Sequence, residues 1–227
     1  MQLSGKVVVV TGGFGQLGRA LVQEVLAQGG RPVMLDRHAG EAPEGALAFQ
    51  VDLGSAADTT RVFGEIAAKL GRIDALANIA GGFSFKTLAD SDDLADWTTM
   101  QAINLQTCVG ACKAVLPHLQ KAGAGRIVNI GAMGAMKGAS GMGAYAASKA
   151  GVMRFTEALA DELKLQDITV NAVLPSIIDT PQNRADMPKA AHDRWVKPAA
   201  IASVIAFLMS DAASAVTGAL VPVTGKT

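Results

Sequence analysis

The sequence predicts a single-domain α/β fold, a doubly wound parallel sheet with helices on both faces. Three observations predict it. Apolar, β-branched runs alternate with helical patterns from end to end, the signature of βαβ units. Several runs are hydrophobic continuously rather than alternately, as strands buried on both faces must be. The chain has 227 residues, half of them hydrophobic and 18% charged, which suits one domain with a large core.

The elements follow in order. KVVVVTG (6–12) is the first strand and leads into a helix over 17–28. RPVMLD (31–36) and ALAFQVD (46–52) are strands two and three, followed by a helix over 56–70. IDALANIA (73–80) and GRIVNIGA (125–132) flank a long helix over 94–121. A helix over 144–165 precedes ITVNAVLP (168–175), and a helix over 198–210 precedes the last strand, GALVPVTG (218–225). Between them lies the least regular stretch, 176–198, with three prolines and mixed charges. It follows a strand's C-terminal end, where open α/β sheets bind ligands, and its Trp195 and its Pro and Met content point to an ordered lid. No repeat, linker or charge run divides the chain, so residues 1–227 read as one domain.

Composition narrows the function. Twenty basic residues balance twenty acidic ones and aromatics are 4%, which argues against nucleic acid or a membrane surface as partner. No 18-residue uncharged apolar stretch occurs, and the first residues lead straight into a strand, so a cytoplasmic protein with a small-molecule substrate is expected. Cys108 and Cys112, four apart on one helix face, lack a histidine partner for a metal. They read as small buried hydrophobes, and no metal site is expected.

The first turn carries the strongest motif. In TGGFGQLG (11–18), Gly12, Gly15 and Gly18 allow a tight turn, close approach to a pyrophosphate, and helix–sheet packing. Gln16 and Leu17 open the helix whose N-terminal N–H groups would face the phosphates. Asp36 ends the second strand 18 residues beyond Gly18, placed to accept from the adenosine ribose hydroxyls. Its charge would repel a 2′-phosphate, so NAD(H) is favoured over NADP(H), although neighbouring Arg37 can accommodate that phosphate. Asp52, followed by Leu53, could bond the adenine amino group. Asn78, Ala80 and Gly81 close the fourth strand with small residues where a cofactor ribose would lie.

Residues 130–149 read IGAMGAMKGASGMGAYAASK. Tyr145, the chain's only tyrosine, and Lys149 stand one helical turn apart on one face. A free tyrosine has a pKa of about 10; a nearby lysine cation would lower it and make the hydroxyl a usable acid–base group. The competing reading is an ordinary aromatic at a helix N-terminus.

Together TGGFGQLG, Asp52, NIAG (78–81), Asn104 in INLQT, YAASK (145–149) and NAVLP (171–175) leading to Thr180 resemble the short-chain dehydrogenase/reductase family over essentially the whole chain. The resemblance implies a seven-stranded Rossmann enzyme moving a hydride to or from a nicotinamide, and a homo-oligomer, dimer or tetramer. It implies that Tyr145 and Lys149 are catalytic, with Lys149 on the nicotinamide ribose and Asn104 in a proton relay. It also implies that Pro175, Ile178 and Thr180 lie along the cofactor.

Two departures stand out: Gln16 replaces a glycine, and Ser176 replaces another after Pro175. A larger one is the family's carbonyl-polarising serine: counting 13 residues back from Tyr145 reaches Ala132. Losing such a donor typically costs a ketone reductase ~100–1,000-fold. The quinonoid-type dihydropteridine reductases resemble this chain in that strand end, in Gly81-Gly82 and in LPSIIDTPQNRADMP (174–188), which suggests an electron-poor conjugated substrate. Ala132, Met133, Phe83 and Met142 would then face it, with Phe85 and Trp195 nearby. The alternatives are a ketoreductase or alcohol dehydrogenase, 3-oxoacyl reductases included, in which Ser140, Ser84 or water replaces the donor, and a non-catalytic NAD-binding partner protein.

Overall fold

A computed structural model describes residues 2–227. Seven parallel strands form one sheet: β1 (Val7–Thr11), β2 (Arg31–Asp36), β3 (Leu47–Gln50), β4 (Ala75–Asn78), β5 (Ala124–Ile130), β6 (Asp167–Pro175) and β7 (Leu220–Val223). Their order across the sheet is β3-β2-β1-β4-β5-β6-β7. Strand β1 pairs with both β2 and β4, Val9 lying opposite Val33 on one side and Leu76 on the other.

The continuous apolar runs have their cause here. Every residue of β1 is buried, and alternate side chains enter opposite cores. Val7 and Val9 pack with Val62, Phe63 and Ile66 of α2 (Ala56–Leu70), with Val115 of α4 (Thr107–Ala122), and with Val152 of α5 (Gly143–Leu163). Val8 and Val10 pack on the other face with Leu21 and Val25 of α1 (Gln16–Ala27) and Ile201 and Ile205 of α7 (Pro198–Leu208). A polar side chain at any of these β1 positions would lose about 1.5–3 kcal/mol of burial and add a desolvation cost. Helix caps are local: Ser55 accepts from the backbone N–H of Asp58 at the start of α2, and Gly71, with φ 80°, closes it.

Two elements differ from expectation. The single helix expected over 94–121 is three segments: α3 (Ala95–Met100), a π-helical turn (Gln101–Gln106) and α4. A π turn inserts a residue into the helical ladder and commonly marks a site; hydrophobic periodicity averages over it, so the pattern reads as one helix. The irregular stretch 176–198 folds into α6 (Pro181–Asp186) and a 3₁₀ turn (His192–Arg194). Its two ends are tied by a parallel bridge between Ile178 and Val196, with Asp179 N–H donating to the Val196 carbonyl at 2.8 Å. Trp195, expected beside the substrate, is instead buried as the anchor of this segment and meets the tilted His192 ring at 4.5 Å. No helix among the described residues is long and apolar enough to cross a membrane.

Candidate active site

The strand order reverses between β1 and β4, and a cleft of about 830 Å³ opens at that switch point, as expected for an open α/β sheet. Its walls include Gly12, Gly15, Gln16, Leu17, Gly18, Asp36, Arg37, Asp52, Leu53, Ala80, Gly81 and Thr180. The structure therefore brings these twelve expected residues together. Gly54, Ala102, Ile103, Thr107 and Gln182 also line the cleft; apolar or unremarkable in sequence, they carry no signal of their own.

Glycines shape the cradle through contacts rather than flexibility alone. Gly12 adopts φ +65°, a conformation costly for other residues, and a Cβ there would lie 3.0 Å from the Ala80 backbone. A Cβ on Gly18 would sit 2.2 Å from the Gly12 carbonyl, so α1 meets the loop only through a glycine. Thr11 ties the loop to the next strand: its hydroxyl accepts from the N–H groups of Ile79 and Ala80 at 3.0 and 3.1 Å. The role of Thr11 is legible only once β1 and β4 are adjacent.

Asp36 sits at the mouth of this loop. Its carboxylate accepts from the N–H groups of Phe14 and His38 at 3.4 and 3.3 Å, and Arg37 beside it is exposed. Asp52 accepts from Gly54 N–H at 2.9 Å. These features fit a dinucleotide: an extended cleft, a loop that no Cβ could enter, and a carboxylate at the adenosine end. Asn78 does not join them. Its side chain is buried and donates to Asn129 Oδ1 at 2.9 Å and to Cys112 Sγ at 3.2 Å, so it braces β4 to β5 and α4 instead of meeting a ribose. An alternating pattern cannot tell which face a strand-end polar residue takes when both faces are buried.

Tyr145 and Lys149 do not line the cleft themselves; Lys149 lies behind Gly81 of its wall. A Cβ on Gly81 would lie 2.6 Å from Asn104 Oδ1 and 3.4 Å from Lys149 Nζ, so those three residues meet at one point. Asn104, in the π turn and 1% exposed, accepts from Gly82 N–H at 2.8 Å and donates to the Gly82 carbonyl and to Ser148 Oγ at 3.1 and 3.0 Å. Lys149 is buried and donates to the Ile130 carbonyl at 2.9 Å. Burial lowers its ammonium to about 8. Tyr145 goes the other way: burial pushes its hydroxyl up to about 12, so Lys149 by itself does not lower it, and the phenol is protonated near neutrality.

Around Tyr145 the surface is apolar. Ala132 lies two residues past the end of β5, extended at φ −160° and ψ 140° and buried. It shares a cluster with Met153 and Leu174, against which Met133 and Tyr145 pack. Phe83 meets Tyr145 edge to face with ring centres 4.9 Å apart, and the Met142 methyl approaches Gly134. Ser140 is exposed and Ser84 half-buried. Pro175 ends β6 in the core, and Ile178 forms the lid bridge. The Thr180 hydroxyl caps α6 by accepting from Asn183 N–H at 3.1 Å. Among the described residues no group of His, Cys, Asp and Glu is gathered to hold a metal.

Residues 6–191 match the profile of the short chain dehydrogenase family. The chain is 32% identical to a meso-2,3-butanediol dehydrogenase of Serratia marcescens, across 99% of this chain and 95% of the relative. It is 34% identical to a 3-oxoacyl-[acyl-carrier-protein] reductase of Pseudomonas aeruginosa, across 99% and 98%. The solved structure "ElxO with NADP Bound" superposes with a TM-score of 0.90 at 26% identity, covering 97% of this chain and 98% of that one. Sheet order, cleft, Tyr-x-x-x-Lys pair and relatives agree: the chain belongs to the short-chain dehydrogenase/reductase family, and it is an oxidoreductase.

Proposed function

We propose that the protein is an NAD(H)-dependent reductase of activated carbonyl compounds, those whose C=O is conjugated with, or adjacent to, a second electron-withdrawing group. The observation that carries this reading is Ala132, a buried methyl where a hydroxyl would hold the substrate oxygen. Without that second donor, developing negative charge must be spread by the substrate itself. Quinonoid dihydropterin is an acceptor of this electronic kind, although neither curated relative described above is named for it.

In this reading the cleft holds the cofactor, with Asp36 on the adenosine ribose and Lys149 at the nicotinamide end. Bound dihydronicotinamide supplies the hydride, two electrons and one hydrogen, to the carbonyl carbon. Tyr145 gives its hydroxyl proton to the carbonyl oxygen, and C=O becomes CH–OH. The tyrosinate is then reprotonated from Lys149, beside which Asn104 holds the Gly82 loop. Asp36 at the adenosine end, with no second-strand basic residue buried beside it, supports NAD(H) over NADP(H). We also propose that the protein is cytoplasmic and a homo-oligomer; size-exclusion chromatography tests the oligomer.

A second reading, a reductase of simple ketones or a secondary-alcohol dehydrogenase, is favoured by the names of the relatives. Ser140, Ser84 or a water would then supply the donor. One experiment separates the two: NADH consumption with 2,3-butanedione, a quinonoid dihydropterin and cyclohexanone, on the wild type and on Ala132→Ser. Turnover of the first two and little of cyclohexanone is expected, with Ala132→Ser raising cyclohexanone turnover at least ~10-fold, a fraction of what such a donor is worth. Efficient cyclohexanone reduction by the wild type would sink the first reading and leave the second.

A further inference from the structure

Among the described residues ten large hydrophobic side chains are exposed, and seven of them (Phe83, Phe85, Leu88, Leu94, Met136, Ile177 and Met187) lie on only three segments. Those segments follow the C-terminal ends of β4, β5 and β6, adjacent strands of a parallel sheet, so they share the edge that carries Tyr145. Apolar exposure concentrated in this way marks a binding surface.

Within it, one arrangement is built. Lys86 N–H donates to the Gly141 carbonyl at 2.8 Å, pinning the 79–94 loop to the turn before α5. Gly141 adopts φ +74°, and a Cβ there would sit 2.6 Å from the Phe85 ring, so the ring covers bare backbone. This pin sets Phe83, 60% exposed, against the Tyr145 ring at 4.9 Å and 72°. Phe83 thus meets the chain's only tyrosine, while Phe85 covers the turn that leads to it. Several polar side chains of the same segments are engaged with one another: Thr87 with Asp90, Arg184 with Asp179, and Gln182 with Asp186.

Resting on the reductase reading above, we infer that Phe83 is a specificity-determining residue. With Tyr145 it forms an aromatic slot that selects substrates whose activated carbonyl is attached to a planar aromatic ring, in preference to aliphatic ones of the same reactivity. The ring of such a substrate would stack or tilt on Phe83 while its oxygen meets the Tyr145 hydroxyl, with Ala132 and Met133 as an apolar floor. Aromatic pairs add about 0.5–1.5 kcal/mol beyond the area they bury, so the slot discriminates by about 2- to 10-fold.

A matched pair of diketones tests this: 1-phenyl-1,2-propanedione and 2,3-butanedione share the vicinal dicarbonyl and differ by phenyl against methyl. In the wild type the phenyl compound should have a KM about 2- to 10-fold lower. Phe83→Ala should erase that difference, lowering kcat/KM for the phenyl compound several-fold more than for 2,3-butanedione, and Phe83→Leu should erase it too, because bulk without a ring does not suffice. A readout independent of turnover exists, since labelled tyrosine gives a single ring resonance: it should shift on adding the phenyl compound to wild type and not to Phe83→Ala. Equal effects of Phe83→Ala on both diketones, or no effect on either, overturn the slot and leave the reductase reading standing. Loss of both activities together with a smaller oligomer overturns it in favour of an interface between copies of the chain. Phe83-dependent binding of the phenyl compound with no turnover of any diketone keeps the slot and overturns the reductase reading.

Discussion

At the scale of single residues, the site is decided by burial more than by charge. Tyr145 and Lys149 sit on one face of α5, yet burial moves them in opposite senses, the phenol up to about 12 and the ammonium down to about 8. Both shifts favour the neutral forms. They also set how stability depends on pH. Between the folded value near 8 and the ordinary 10.5 of lysine, the unfolded chain binds a proton that the folded chain has lost. Stability contributed by this residue therefore rises with pH across that window. Below about pH 8 the penalty of a buried ammonium is carried in full. Lys149→Met removes it, so the variant should be more stable than wild type at pH 7.5, and the gap should narrow at pH 9.5. Urea midpoints at the two pH values measure this, and a gap independent of pH would show that Lys149 keeps its proton throughout.

At the scale of elements, the π turn over Gln101–Gln106 does what an unbroken helix could not. It delivers Asn104 into the gap between the Gly82 loop and Ser148 of α5, where one amide makes three polar contacts. Removing it leaves Gly82 N–H without its acceptor in a half-buried setting. Asn104→Ala should therefore cost about 1–3 kcal/mol of stability in a urea titration. Under the proposed mechanism it should also lower kcat more than it raises KM for NADH, because the amide lies beside Lys149 rather than at the adenosine end. A change in KM alone would reduce Asn104 to a brace. The lid is a second case: the Ile178–Val196 bridge and the buried Trp195 make one closed loop out of a stretch that sequence shows only as irregular.

At the scale of the whole molecule, strand order places the chemistry. The reversal between β1 and β4 opens the cleft, and the neighbouring β2 ends there in Asp36. A carboxylate accepting from ribose hydroxyls contributes about 1.5–3 kcal/mol and repels a 2′-phosphate, so Asp36→Ala should erode selectivity for NADH over NADPH by about 10- to 100-fold in kcat/KM. An unchanged ratio would hand the adenosine end to Arg37. The fold is legible in the chain: every run that reads as a strand contains one, because strands buried on both faces are written as unbroken apolar runs and βαβ alternation admits few sheets. Most of the cleft was legible too, since a glycine loop followed by a strand-end carboxylate leaves little freedom. The substitution at Ala132 could be counted from Tyr145 in the chain alone. Other features were not in the sequence as such. Asn78 turned to the core, the helix over 94–121 broke at a π turn, and the Tyr145 pKa rose, because each depends on neighbours brought from distant parts of the chain. The sequence by itself determined the sheet, the dinucleotide loop and the Tyr-x-x-x-Lys pair, all of which are local patterns. Tertiary structure alone decided which polar groups face the cleft, how burial sets their protonation, and that Phe83 stands against Tyr145, because packing between segments settles these and no local pattern encodes it.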